Sequence, residues 1–265
     1  MTRPEPFLRQ AGAGPGVVCL HSNASTSGQW RGLMELLSPR YQVLAPDLYG
    51  SGKSPDWHSD RFISLGDEVA LIEPVLARAA RPLALVGHSH GAAVALMAAL
   101  ANRGQVRALV LYEPTLFALI DAQGPSPNQA DGIRHTVSVA GAALDAGDRD
   151  TAARTFIDYW MGDGAWAATP AQRREPIAAA VVNIRRWGHA LFTEPTPLAE
   201  FGQLDMPILY MTGGRTTASA RGVAQILQSA LPRVQMIEFD QLGHMGPITH
   251  PEIVNAAIQR FLDRA

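Results

Sequence analysis

Pro82-Leu83-Ala84-Leu85-Val86-Gly87-His88-Ser89-His90-Gly91 is an apolar run that ends in a serine set between two glycines, and the Ala-rich stretch Ala92 to Ala101 follows it directly. The order strand, tight turn, helix is the setting in which a G-x-S-x-G pattern lifts a serine hydroxyl above the edge of a sheet. Gly87 and Gly91 leave room for the turn, and the start of the helix offers unpaired backbone N–H groups with the positive end of its dipole. A bare match to the pattern is often accidental; this context makes Ser89 the candidate nucleophile.

On either side of the elbow, short apolar runs alternate with helical stretches, the signature of a mostly parallel sheet with helices on both faces. The pattern predicts an α/β fold with about seven or eight strands. Candidate strands are Val17 to Leu20, Val43 to Ala45, Leu83 to Val86, Ala108 to Leu111, Ile208 to Met211 and Gln235 to Phe239, with an edge strand near Phe7 to Arg9. Candidate helices are Ser27 to Leu37, Leu65 to Ala80, His90 to Arg103, Ser219 to Leu231 and Pro251 to Leu262. From about Thr115 to Asp205 no strand-like run occurs, and Pro and Gly divide short helical pieces. The expected organisation is a core of residues 1–114 and 205–265 interrupted by a helical lid at 115–204. Phe117, Phe156, Trp160, Trp166, Trp187 and Phe192 fall in that insertion, where they either line a pocket or pack the lid onto the core.

Composition narrows the function. Of 265 residues, 47% are hydrophobic and 17% charged, and the formal net charge is -2. No basic stripe suited to a phosphate backbone is present, so nucleic acid is not expected as a partner. Met1 to Gln10 lacks the apolar core of a signal peptide, and Ala92 to Ala101 is too short to span a bilayer. A cytoplasmic protein with no membrane partner is therefore expected; the sequence sets no oligomeric state. Cys19 is the single cysteine, which excludes an internal disulfide and a multi-thiolate metal site. Neither a metal nor an organic cofactor is expected. Gly50-Ser51-Gly52-Lys53-Ser54 resembles the end of a phosphate loop, but the first glycine of that motif would fall on Asp47. The glycines of Gly12 to Gly16 precede their strand, so they read as a turn and not as a dinucleotide site.

A serine hydroxyl needs a base at neutral pH, and histidine is suited to the task. His244, in Leu242-Gly243-His244-Met245-Gly246, lies between the last strand and the last helix, so its loop opens at the same sheet edge as the elbow. His244 is thus the candidate base. His21, His88 and His90 lie near that edge, but the backbones of His88 and His90 are better placed to assist than their rings.

Taken together, His21 in the first loop, Asp47-Leu48-Tyr49-Gly50-Ser51-Gly52 in the second, the Ser89 elbow and Gly243-His244 resemble the α/β-hydrolase family in its serine branch. The resemblance implies an acid that orients the base, most often on the loop after the strand that follows the lid. Here no carboxylate occurs from Met206 to Ile237. A second arrangement in the family places the acid after the strand that follows the elbow helix, where Tyr112-Glu113-Pro114 stands. Glu113 is therefore the candidate acid, with Asp240 in reserve; Asp205 precedes its strand and belongs to the wrong edge. The resemblance also implies an oxyanion hole of backbone N–H groups from His90 and the His21-Ser22-Asn23 loop, with Asn23 and Ser22 as candidates. Most relatives have Gly where Ser22 stands.

The implied activity is a serine hydrolase that cleaves a carboxylic ester or lactone of a small, mostly apolar substrate through an acyl-enzyme. Phe117, Trp160, Trp187 and Met245 are candidate pocket residues. The same fold and residues also suit a carbon-carbon bond hydrolase of aromatic degradation, a cofactor-free perhydrolase or haloperoxidase, a lyase, or a non-catalytic small-molecule receptor.

Overall fold

The structure, a computed structural model, describes residues 4–265. The first three residues of the amino-terminal segment read above lie outside the described residues. Two of the apolar runs, now β2 (Gly16–Leu20) and β4 (Leu83–His88), are buried along their whole length. Strands buried on both faces belong inside a parallel sheet rather than on a one-sided antiparallel one.

The remaining strands are β1 (Leu8–Ala11), β3 (Gln42–Pro46), β5 (Val106–Tyr112), β6 (Ile208–Gly213) and β7 (Val234–Phe239). They form one seven-stranded sheet in the order β1-β3-β2-β4-β5-β6-β7. Only the edge strand β1 runs antiparallel to its neighbour. The core helices are α1 (Arg31–Leu37), α2 (Leu65–Arg78) and α3 (His90–Ala101). α1 is preceded by a 3-10 turn over Ser27–Trp30, so the helix read from Ser27 onward begins as a tighter coil. α2 starts on a capping box between Ser64 and Asp67, which satisfies two of its unpaired N–H groups. α3 is buried from His90 to Ala99 and carries almost no polar side chain, as an Ala-rich helix wedged between the sheet and α2 must be.

Between β5 and β6 the described chain forms helices only: α4 (Ala118–Gln123), α5 (Asp131–Asp145), α6 (Arg149–Met161), α7 (Ala165–Ala168), α8 (Ala171–Val181), α9 (Ile184–Phe192) and α10 (Leu198–Phe201). The core then resumes with β6, α11 (Ala218–Ala230), β7, α12 (Gly246–Thr249) and α13 (Pro251–Leu262). No helix is long and apolar enough to cross a membrane among the described residues.

Sheet order decides where a site can form. The chain leaves β2 toward β3 on one side and returns to β4 on the other, so the carboxyl ends of β2 and β4 flank the point where the winding reverses. The loop at His21 and the elbow at Ser89 emerge side by side there.

Candidate active site

Parallel register sets Ser89 and Glu113 at the same level. His88 pairs with Tyr112 and Tyr112 with Met211, and the ladder continues one step as Ser89 N–H donates to Tyr112 O at 2.9 Å and Glu113 N–H to Met211 O at 3.1 Å. Both residues leave their strands with positive φ, 56° at Ser89 and 45° at Glu113. Such a conformation is costly for a residue with a Cβ and persists where the surroundings impose it. At the elbow they do. A Cβ on Gly91 would come within 2.4 Å of the carbonyl oxygens of Leu20 and His21, and one on Gly87 within 2.5 Å of Ala92 Cα. The two glycines are thus required by close backbone approach.

The candidate base is carried in from the far end of the chain. His244 follows β7, and its loop is pinned where Tyr112 Oη donates to Gly243 O at 2.8 Å. A chain of hydrogen bonds results: Glu113 Oε2 accepts from His244 Nδ1 at 2.6 Å, and His244 Nε2 lies 2.8 Å from Ser89 Oγ. Because an ionised carboxylate only accepts, Nδ1 carries the proton and Nε2 presents its lone pair to the serine hydroxyl. All three side chains are buried.

Glu113 is 0% exposed, so its charge needs compensation. Burial by itself would push its carboxyl up; hydrogen bonds from His244, the Gly213 N–H and Thr216 outweigh that and hold it below the usual carboxylate range. Thr212 Oγ1 donates to Oε1 at 2.9 Å, Gly213 N to Oε1 at 2.7 Å and Thr216 Oγ1 to Oε2 at 2.7 Å. With His244 these fill all four lone-pair sites of the carboxylate. The end of β6 and the loop after it, which lack a carboxylate of their own, instead supply donors to the one that follows β5. Asp240 is exposed, and Asp205 sits at the amino-terminal side of β6.

Around Ser89 lies a cavity of about 350 Å³. Ser22, Asn23, Phe117, Trp160, Trp187 and Met245 all line it, together with His244. Trp160 and Trp187 come from α6 and α9. Among further lining residues that the sequence did not single out are Thr115, whose buried hydroxyl has no partner among the described residues, and Arg173.

The backbone N–H of His90 opens α3 and so has no intrahelical acceptor. That of Asn23 has none among the described residues. The Ser22 N–H, by contrast, donates to Gln29 Oε1 at 3.1 Å. Of the neighbouring histidine rings, that of His90 makes no hydrogen bond among the described residues and lies 3.6 Å from Glu68. The ring of His88 is engaged: its Nε2 meets His244 O at 2.8 Å and its Nδ1 meets Gln29 Nε2 at 3.0 Å. The ring of His88 thus holds the loop of His244, a contact that the sequence did not suggest.

A family model of the alpha/beta hydrolase fold matches residues 15–251. The chain is 26% identical over 252 residues to a pimeloyl-(acyl-carrier protein) methyl ester esterase of Nitrosomonas europaea, an alignment that covers 92% of this chain and 94% of that one. It is 26% identical over 281 residues to a cis-3-alkyl-4-alkyloxetan-2-one decarboxylase of Xanthomonas campestris, covering 95% and 89%. Among solved structures, an alpha/beta hydrolase from Sphaerobacter thermophilus superposes with a TM-score of 0.75 at 24% identity, covering 97% and 95%.

Proposed function

The chain belongs to the alpha/beta hydrolase fold family, and from that premise we propose that it is a serine carboxylic-ester hydrolase in which Ser89, His244 and Glu113 form the catalytic triad. The observation that carries this reading is the unbroken hydrogen-bonded path from Glu113 through His244 to Ser89, opening onto an apolar cavity.

In the first half-reaction Ser89 Oγ attacks the ester carbonyl while its proton passes to His244 Nε2. Glu113 stabilises the imidazolium so formed without taking the proton. The oxyanion of the tetrahedral intermediate is held by the N–H groups of His90 and Asn23. His244 then gives its proton to the departing alkoxide, leaving an acyl-serine. Water, deprotonated by the same nitrogen, attacks the acyl carbonyl; the carboxylic acid leaves and Ser89 regains its proton.

The substrate in this reading is a small, mostly apolar ester or lactone, since Phe117, Trp160, Trp187 and Met245 line the cavity beside Ser89. Residues 115–204 serve as a lid over it, contributing Phe117, Trp160 and Trp187, and the pocket wall is where substrate choice is made. Likeness to the esterase of N. europaea supports ester hydrolysis in general. Likeness to the oxetan-2-one decarboxylase favours a second reading, loss of carbon dioxide from a four-membered lactone. Products separate the two: hydrolysis gives a hydroxy acid, and decarboxylation gives carbon dioxide and an alkene.

The test is labelling with a fluorophosphonate followed by a panel of nitrophenyl esters. Ser89 should carry the label and Ser89→Ala should lose turnover. Label on another residue, or full activity in Ser89→Ala, overturns the assignment.

A further inference from the structure

Ser22 lines the cavity in the loop after β2, and the triad makes no use of it. Its surroundings do. Both Ser22 N and Ser22 Oγ lie 3.1 Å from Gln29 Oε1, the other end of Gln29 lies 3.0 Å from His88 Nδ1, and His88 Nε2 lies 2.8 Å from His244 O.

The directions of these bonds are fixed by chemistry. A carbonyl oxygen only accepts, so His88 carries its proton on Nε2 and donates it to His244 O. Burial, with His244 nearby, depresses the His88 pKa well below its ordinary value, so the ring is neutral and Nδ1 must accept. Gln29 therefore donates its amide N–H to His88 and presents its oxygen to Ser22. The opposite orientation of the amide would set its NH₂ group against the Ser22 N–H, donor against donor.

The next peptide is held as well. His21 Nε2 accepts from the Leu48 N–H at 3.0 Å, so Nδ1 carries the proton and donates to Ser22 O at 2.7 Å. In a trans peptide the C=O and the following N–H point in opposite directions. Anchoring Ser22 O toward His21 thus turns the Asn23 N–H the other way, and Asn23 lines the cavity with Ser89. Gln29 itself is not among the residues lining it.

Resting on the assignment of Ser89 as nucleophile, we propose that Gln29 is a positioning residue that ties the base loop, through His88, to the oxyanion loop at Ser22. The oxyanion hole then consists of the Asn23 and His90 N–H groups, and Ser22 contributes neither its N–H, which Gln29 has taken, nor its hydroxyl. The relay couples the two halves of the site: the strand carrying the nucleophile, the loop carrying the base and the loop carrying the oxyanion donor share one line of hydrogen bonds.

The experiment compares Gln29→Met, similar in length but unable to bridge, with Ser22→Ala, which keeps the N–H bond to Gln29. Each is measured for kcat and KM on a nitrophenyl ester and for inhibition by hexyl trifluoromethyl ketone, whose serine adduct bears the oxyanion. Loss of one well-placed donor costs about 10²- to 10³-fold in kcat, and a misplacement of about 1 Å up to about 100-fold, so a loosened donor should cost about 10- to 100-fold. Gln29→Met should lower kcat by that smaller factor with KM within about threefold, and weaken the ketone in proportion. Ser22→Ala, which gives up one of its two bonds to Gln29, should lose less than Gln29→Met in kcat and in ketone affinity. Unchanged kcat and ketone affinity in Gln29→Met overturn the proposal. So does a loss in Ser22→Ala as large as in Gln29→Met, which would make the hydroxyl an oxyanion donor. Gln29→Asn, which keeps the amide but is one methylene short of the span, is read in the same way if Gln29→Met does not fold. Ser89→Ala run alongside separates the two levels: full activity there removes the nucleophile assignment, whereas an inert Ser89→Ala beside an unimpaired Gln29→Met removes only the relay.

Discussion

The indole of Trp160 lies flat against the imidazole of His244, with ring centroids 3.8 Å apart and planes inclined by 24°. In the proposed mechanism that imidazole becomes a cation in each half-reaction, and a cation against the face of a Trp ring is stabilised by about 0.5 to 2 kcal/mol. Trp160→Leu should therefore lower kcat by about 2- to 30-fold. Nitrophenyl acetate, whose acyl group is too short to depend on the pocket wall, is the substrate to use. Turnover equal to the parent would show that the stack acts only as a wall.

Glu113→Gln should lower turnover by about 10³- to 10⁴-fold, the scale set by losing the acid in the serine-protease triad. The amide keeps the shape but cannot serve as an anion beside the imidazolium. Asp240→Asn should leave kcat unchanged, since Asp240 is exposed to solvent. The reverse pattern in steady-state kinetics would move the role of acid to Asp240.

The strand-turn-helix at the elbow, the places of the strands along the chain and the ends of most core helices were legible because each has a local cause. Apolar runs end at turn residues, and Gly87 and Gly91 mark the sharp turn. Glu113 became the candidate acid through the family resemblance, which offers a second place for the acid after β5 when the loop after β6 has no carboxylate. Its stabilisation by Thr212, Gly213 and Thr216 was not legible, because it depends on the register of β5 against β6. Gln29 gave no signal either. It lies 59 residues from His88, and their contact exists only because β2 and β4 are neighbours. The helix read from Ser27 began late because Thr26 caps a 3-10 turn there, its side chain accepting from Gly28 N.

Acid should unfold the protein earlier than its surface charges would suggest. Burial, with a small contribution from His90, lowers the His21 pKa from 6.5 to about 4 against the opposing pull of the Ser22 carbonyl and Asp47, and His88 is lowered as well. Both rings regain ordinary values in the unfolded chain, so between about pH 6.5 and about 4 the unfolded state binds more protons. Stability is complete above that window and is lost as pH falls through it. The urea midpoint should thus drop between about pH 7 and about pH 5. Equal midpoints would mean that these rings are not held neutral.

Cys19 should be inert in the native protein. It is 0% exposed in β2, and burial pushes its thiol pKa far up, so almost no thiolate is available to react. N-ethylmaleimide should leave activity intact and add no mass until denaturant is present. Rapid native modification would show that β2 opens readily.

The acid should be transferable to the loop from which it is missing. Thr216 Oγ1 lies 2.7 Å from Glu113 Oε2, the same oxygen that accepts the hydrogen bond from His244 Nδ1, so position 216 already faces the place a carboxylate must occupy. Replacing Glu113 by Ala removes the anion and empties its site, and adding Thr216→Asp restores an anion from the loop after β6. Asp is longer than Thr by one atom, which moves its oxygen toward the site that Oε2 leaves. A charge-assisted hydrogen bond contributes about 1.5 to 3 kcal/mol, so the double variant should regain about 10- to 100-fold of the turnover lost in Glu113→Ala. Thr216→Asp alone should instead impair the enzyme, because two carboxylates would then share one imidazole and repel each other. The comparison is a double-mutant cycle in kcat, and the sign of the coupling decides it. If Thr216→Asp is equally harmful in both backgrounds, position 216 does not point at the base and serves Glu113 only as a hydroxyl donor.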